Sequence, residues 1–153
     1  MLPKFSMTFK EFEIYFSSEM CYSKNATFWI DFKGNIHHIT AKSYPEYLSK
    51  VQGKYFDGYT IKLEKFEDIV GFEDGTVHVF HNWDGGPSFP EHTDPIDVII
   101  YVLDGCKNVV VNDNPVTLLP GEMVHIPANL KHKATNEHRA LILSYGMHDN
   151  ATY

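Results

Sequence analysis

From residue 76 onward the chain is written in segments too short, and too often broken, for helices. Residues 76–81 alternate, with Val77, Val79 and His81 on one face of a strand and His78 and Phe80 on the other. Asp84-Gly85-Gly86-Pro87 breaks that strand. Residues 98–103 form an unbroken apolar run, as a strand covered on both faces would, and Asp104-Gly105 turns it. Val109-Val110-Val111, then Asn112-Asp113-Asn114-Pro115, then Val116-Thr117-Leu118 is a hairpin signature. Residues 124–127, 130–134 and 139–145 supply three more strands, with Asn136-Glu137-His138 as a turn. Strands of this length and spacing restrict the fold to a sandwich or barrel.

The part before residue 76 is of mixed type. Thr8-Phe9-Lys10-Glu11 is a capping box, and Phe9, Phe12 and Phe16 follow as one apolar stripe of a helix expected to run to about Met20. That stripe is expected to pack on the barrel or on a second subunit. Phe28-Trp29-Ile30-Asp31-Phe32 and Ile36-His37-His38-Ile39 flank the turn Lys33-Gly34-Asn35 and predict a hairpin. His37 and His38, adjacent on a strand, point to opposite faces and cannot easily share a metal. Ser43-Tyr44-Pro45-Glu46 is a second capping box, opening a helix with Tyr47, Leu48 and Val51 that stops at Gly53. Tyr59-Thr60-Ile61-Lys62-Leu63 alternates like a strand, while residues 66–72 fit either element. The expected organisation is an α+β extension over 1–75 packed on a barrel over 76–147, with a tail at 148–153.

With 153 residues and 43% hydrophobic content the chain suits one domain with its own core. A formal charge of −7 argues against a nucleic-acid partner, which would call for clustered Lys and Arg. No run approaches the roughly 18 apolar residues of a membrane span, and the N-terminus lacks a signal-peptide apolar core. Cys21 and Cys106 have no metal-type spacing and suit free thiols in a reducing, cytoplasmic setting.

His92 and Asp94 stand two apart, so on one strand they share a face. His132 follows a later turn, Pro127-Ala128-Asn129. Two imidazoles and a carboxylate are the ligand set of non-haem Fe(II) centres, with positions left open for substrate or O2.

The spacing around these residues resembles the cupin family over residues 78–147. Its first motif is Gly, five residues, His-x-His, three or four residues, Glu, six residues, Gly. Here Gly86, His92-Thr93-Asp94, Val98 and Gly105 occupy those places. Its second motif is Gly, five residues, Pro-x-Gly, two residues, His, three residues, Asn. Gly121, Pro127-Ala128-Asn129, His132 and Asn136 match it, with Asn129 in place of a Gly. The resemblance implies a mainly β, double-stranded β-helix (jelly-roll) barrel carrying the N-terminal extension. It implies that His92 and His132 are metal ligands, that Asp94 stands for the second His, and that Val98 replaces the Glu ligand.

The remaining set, His-x-Asp…His, resembles that of Fe(II)/2-oxoglutarate oxygenases, which share the fold. Either the site is a facial triad for a divalent transition metal, Fe(II) above others, or metal binding has lapsed and Val98 marks an apolar ligand pocket. A 2-oxoglutarate enzyme also needs a base to hold the distal carboxylate. Arg139 is the candidate, ahead of Lys131 and Lys133. His125 is a candidate acid or base, His81 or Glu91 a candidate fourth ligand, and Asp97 a substitute carboxylate if its strand bulges. Trp83, Tyr101 and Phe89 are candidates for the cavity mouth. Three expectations follow: a metal-dependent enzyme, such as a dioxygenase, acting on a small polar molecule; a small-molecule-binding or sensor cupin, with or without metal; or an interaction protein dimerising through Phe9, Phe12 and Phe16, as cupins frequently dimerise.

Overall fold

Alternation along the strands produces two faces, and the chain covers each differently. The computed structural model describes residues 2–32, 35–51, 60–83 and 90–147. Within them lie β1 (Ala26–Phe32), β2 (Asn35–Ala41), β3 (Thr60–Leu63), β4 (Gly75–Asn82), β5 (Val98–Gly105), β6 (Lys107–Val111), β7 (Asn114–Leu118), β8 (Met123–Ile126), β9 (His132–Thr135) and β10 (Ala140–Met147). A seven-stranded sheet runs β2-β1-β3-β4-β10-β5-β8, and a three-stranded sheet runs β7-β6-β9. All described pairings are antiparallel. The two sheets face each other as a jelly roll. The strands before residue 76 are not a separate layer: β1 and β3 extend the large sheet and continue its inner surface.

Four helices lie among the described residues: α1 (Phe9–Phe16), α2 (Glu19–Tyr22), α3 (Tyr44–Lys50) and α4 (Glu67–Val70). Thr8 caps α1 as expected, its Oγ1 accepting from the Glu11 N–H at 3.1 Å while the Glu11 carboxylate accepts from the Thr8 N–H at 3.0 Å. The helix expected to reach Met20 instead stops at Phe16, and α2 begins after Ser18. The Ser17 and Ser18 hydroxyls donate back to carbonyls of the preceding turn, offering the backbone an alternative to helix. Ser43 caps α3 through the Glu46 N–H at 3.2 Å, but Glu46 reaches the Lys42 N–H instead of closing the box. Lys50 ends α3, and the stop expected at Gly53 lies outside the described residues, as do the turns at Gly34 and 84–87. Residues 66–72, open in the sequence, form the short α4 with Gly71 in the left-handed conformation after it.

One core forms where Phe12 and Phe16 of α1 meet Phe28, Tyr47, Val77, Val79, Leu141 and Leu143 on the outer face of the large sheet. The stripe of α1 is thus spent within its own chain. The second core lies between the sheets and includes Val98, Ile100, Val102, Val109, Ile126 and Ile142. Residues 98–102 therefore feed both sides, Ile99 and Tyr101 packing outward and their neighbours inward. Gly105 has φ +80°, and a Cβ there would stand 2.1 Å from the Arg139 carbonyl oxygen, so only glycine fits that turn.

Candidate metal centre and its cavity

An open cavity of about 490 Å³ occupies one end of the space between the sheets. His92, Asp94 and His132 line it together, and their ligand atoms lie within 4.8 Å of one another. His92 sits just ahead of β5 and pairs with the first residue of β9 through reciprocal backbone bonds, His92 N–H to His132 O at 3.0 Å and the reverse at 2.9 Å. That bridge brings the two motifs together. Asp94 Oδ2 stands 3.5 Å from His92 Nε2 and 3.2 Å from His132 Nε2. Both rings are held by their other nitrogen: His92 Nδ1 donates to the Pro90 carbonyl at 3.0 Å and His132 Nδ1 to the Leu130 carbonyl at 2.9 Å. A carbonyl only accepts, so each Nδ1 carries a proton and Nε2 is the ring nitrogen turned toward Asp94 and left to ligate a metal. This is how metal-binding histidines are oriented, by a backbone partner behind the ring. The donor set and its convergence fit a divalent transition metal.

The turn between β8 and β9 supports Asp94. Asn129 has φ +66° and donates its N–H to the Asp94 carbonyl at 2.7 Å. Asparagine tolerates the left-handed region better than most residues, so it stands where the cupin motif has glycine without losing the turn. Val98 is buried and lines the cavity, as the apolar substitute for a Glu ligand would.

The sequence candidates scatter from here. His81 points away from the cavity, stacked on Phe12 at 5.6 Å between ring centroids. Burial and the nearby Arg139 cation push its pKa down to about 3, so it is neutral. Arg139 also lies outside the cavity. Its guanidinium is sandwiched between Phe9 (4.0 Å) and Trp83 (3.9 Å), and its Nε donates to His81 Nε2 at 3.1 Å. Trp83 is therefore committed to that sandwich and does not line the cavity. His125 shares the outward register of Ile99, is exposed, and bonds Asp97 Oδ2 at 2.9 Å. Asp97 accepts the Ala128 N–H as well, so its carboxylate staples β8 to β5 and stays off the triad. Glu91 is exposed, Tyr101 packs outward, and Phe89 lies outside the described residues.

Two lysines, singled out by nothing in their local sequence, line the cavity instead. Lys107 opens β6 facing inward and is only 3% exposed. Its ammonium donates to Asn82 Oδ1 at 2.6 Å and to Asn136 Oδ1, and Asn136 Nδ2 donates to Thr60 Oγ1 at 3.0 Å. Burial pulls its pKa down to about 8, against a smaller opposing pull from Glu137. At neutral pH it remains mostly charged. Lys62, half-buried on β3, also lies below the ordinary lysine range because burial outweighs the pull of Glu64 and Asp94. His78, beside it, is pushed down to about 4 by burial first and then by Lys62.

Residues 83–145 match the family model described as Cupin domain. Over those residues the chain carries a cupin domain. No curated protein matches this cupin in sequence. Among solved structures it is similar to the ribosomal oxygenase YcfD of Escherichia coli, with a TM-score of 0.65 at 14% identity over 92% of this chain and 44% of YcfD. A second YcfD structure, in complex with cobalt and succinic acid, gives 0.64 at 14% identity over 92% and 43%. This cupin thus spans less than half the length of YcfD. A conserved protein of unknown function from Streptococcus pyogenes, SPY1581, aligns at 0.51 and 16% identity over 60% of this chain and 76% of its own. At such identities the likeness is one of fold. Among the described residues no helix is long and apolar enough to cross a membrane.

Proposed function

We propose that this cupin is a small Fe(II)-dependent oxygenase that uses 2-oxoglutarate to oxidise a small organic molecule. One observation carries the reading: His92 Nε2, His132 Nε2 and Asp94 Oδ2 converge on one point of a cavity, with both imidazoles held through Nδ1 so that Nε2 faces it. Iron bound there would supply O2 activation coupled to decarboxylation of the 2-oxo acid. Three protein ligands leave coordination positions for the cosubstrate. One carboxylate and two neutral imidazoles leave a divalent ion net positive, which favours an anion beside it.

Lys107 takes the distal carboxylate in this reading, in the role the sequence assigns to Arg139. Along β9 and the residue after it the cavity-lining positions run His132, Ala134, Asn136, so Lys107 and its Asn136 partner sit about 13 Å further along the chain from His132. A short dicarboxylate chelated at the triad extends toward that ammonium. Asn82, Asn136 and Thr60 hold the lysine in place, while Arg139 is occupied by Phe9, Trp83 and His81. YcfD, of the same fold, binds cobalt and succinic acid, and succinate is what decarboxylation leaves of 2-oxoglutarate. The surrounding walls, Val98, Ile100 and Ile142 among them, are apolar.

The test is metal content of untagged protein, followed by O2 uptake and succinate formation with Fe(II) and 2-oxoglutarate. About one ion per chain, with succinate formed only when metal and cosubstrate are both present, supports the reading. A protein that cannot be loaded with Fe(II), Mn(II) or Co(II) overturns it. Val98 favours a second reading in that event, an apolar binding or sensor pocket without catalysis. Location in the cytoplasm and dimerisation stay part of the proposal, tested by fractionation of the source cells and by the mass of the purified chain in solution.

A further inference from the structure

The inner face of the large sheet carries a row of side chains that neither the triad nor Lys107 uses. Register pairs His38 with Trp29, Trp29 with Lys62, Lys62 with Phe80, and Phe80 with Ile142. Cross-strand neighbours stand side by side, so the Lys62 side chain is flanked by Trp29 and Phe80. Its ammonium lies 5.6 Å from the Phe80 ring centroid. His38 stacks on Trp29 at 4.3 Å between centroids, and Glu64 accepts the Trp29 indole N–H at 3.1 Å, so the indole is held in place. Glu64 also faces His38 at 3.6 Å and His78 at 3.8 Å. Lys62 itself makes no ion pair among the described residues. Trp29, Lys62 and Phe80 all line the same cavity as the triad.

Charge decides what such a row would hold. The formally charged groups lining the cavity are Lys62, Lys107 and Asp94, and Glu64, bonded to the Trp29 indole, also acts on Lys62. With a divalent ion and a 2-oxoglutarate dianion in place, the dianion meets the ion and Lys107, and Lys62 is left as the cation inside the cavity that Glu64 and Asp94 draw on without pairing. A single carboxylate fits that ammonium; a second dianion would meet Glu64 and Asp94 as well, and a cation would be repelled by Lys62.

We propose that Trp29, Lys62 and Phe80 form the subsite for the molecule to be oxidised, and that this molecule is a small organic monoanion, a carboxylate on a flat apolar body. The carboxylate pairs with the Lys62 ammonium, and the body lies across the Trp29 and Phe80 rings with one edge toward the triad. Half-burial of Lys62 strengthens the pairing, because water competes less there than at the surface. The aromatic walls add contact area that aliphatic acids would use poorly. This rests on the proposed oxygenase reading for the cosubstrate that fills the other end.

The test uses the full chain loaded with Mn(II) and 2-oxoglutarate without O2, and phenylacetate as probe, followed by calorimetry and by tryptophan fluorescence. Phenylacetate is expected to bind about tenfold or more tightly than its neutral isostere phenylacetamide, and benzylamine not to bind detectably. Lys62→Met is expected to remove that preference, Lys62→Arg to keep it, and Trp29→Leu to weaken acid and amide alike. Equal affinity for acid and amide, or a preference unchanged in Lys62→Met, overturns the subsite. So does a loss of 2-oxoglutarate binding in Lys62→Met as large as in Lys107→Met, which would place Lys62 in the cosubstrate site. Failure of the oxygenase reading shows separately, as a Mn(II) protein that binds no 2-oxoglutarate whatever it does with phenylacetate.

Discussion

The two faces of strands β3, β4 and β10 are made from alternate residues of the same segments, and they do opposite things. Outward, Ile61, Leu63, Val77, Val79, Leu141 and Leu143 are buried under α1 and its neighbours, and even the one imidazole there, His81, is stacked and neutral. Inward, Thr60, Lys62, His78, Phe80 and Ser144 line an open cavity and keep two charged or chargeable groups within reach of the triad. Helix α1 and its neighbours cover one face, whereas the small sheet covers the other over only part of its length. Stability is concentrated on the first face and chemistry on the second. The division is a matter of what lies on top, since the strand period is the same for both.

The largest way to break this contrast is to empty the outer face. Phe12→Ala removes a fully buried ring between Phe16 and His81, and is expected to cost about 3–5 kcal/mol in chemical denaturation. Phe80→Ala, one face over, opens onto a cavity that already exists and is expected to cost about 1–2 kcal/mol. Equal losses would show that the two faces do not differ in packing. The complementary experiment acts on the inner face. Asp94→Ala or His132→Ala is expected to weaken metal binding at least about a hundredfold, measured by competition with a chelating dye. The change in stability of the metal-free protein should be small for Asp94, which is a third exposed.

How much of this was legible in the sequence depends on the reach of each signal. The capping box at Thr8, the alternation of β4, the hairpin at 109–118 and the motif spacing are local, and each appears in the structure within a residue or two of its expected place. The triad was legible because spacing and residue type act together at His92, Asp94 and His132. Lys107 was not, since a lysine after Gly105 reads as a solvated strand start. Only the register of β6 against β9 turns it inward to Asn136. Arg139 misleads for the converse reason: its partner Phe9 comes from the far end of the chain, and no local pattern announces an aromatic sandwich. His78 and His81 differ only in strand parity, and the helix that decides which of them meets the cavity is remote in sequence.

Lys107 sharpens the contrast through pH. Its pKa in the fold is lowered to about 8 because burial penalises the ammonium, so from about 8 up to the ordinary lysine value the unfolded chain holds a proton that the folded chain has released. Stability is therefore expected to rise with pH across that window, and the rise to vanish in Lys107→Met, read from urea denaturation. The affinity for 2-oxoglutarate should move the other way, Kd rising about tenfold per pH unit above about 8 as the ammonium is lost. A flat binding profile would remove Lys107 from the anion's end of the cavity.

The smallest effect is the most direct test that the faces are separable. Thr8→Ala removes the side-chain oxygen that accepts the Glu11 N–H at the start of α1, and is expected to cost about 1 kcal/mol. The Phe9 N–H stays bonded to Asp104 Oδ2 at 2.9 Å, so the helix remains tied to the end of β5 and loosens instead of detaching. Since α1 touches only the outer face, the lost stability should leave metal affinity within about twofold of wild type, well inside the coupling expected of independent sites. If metal affinity falls together with the melting temperature, the helix is holding the inner face in shape through the sheet, and the two faces are one cooperative unit.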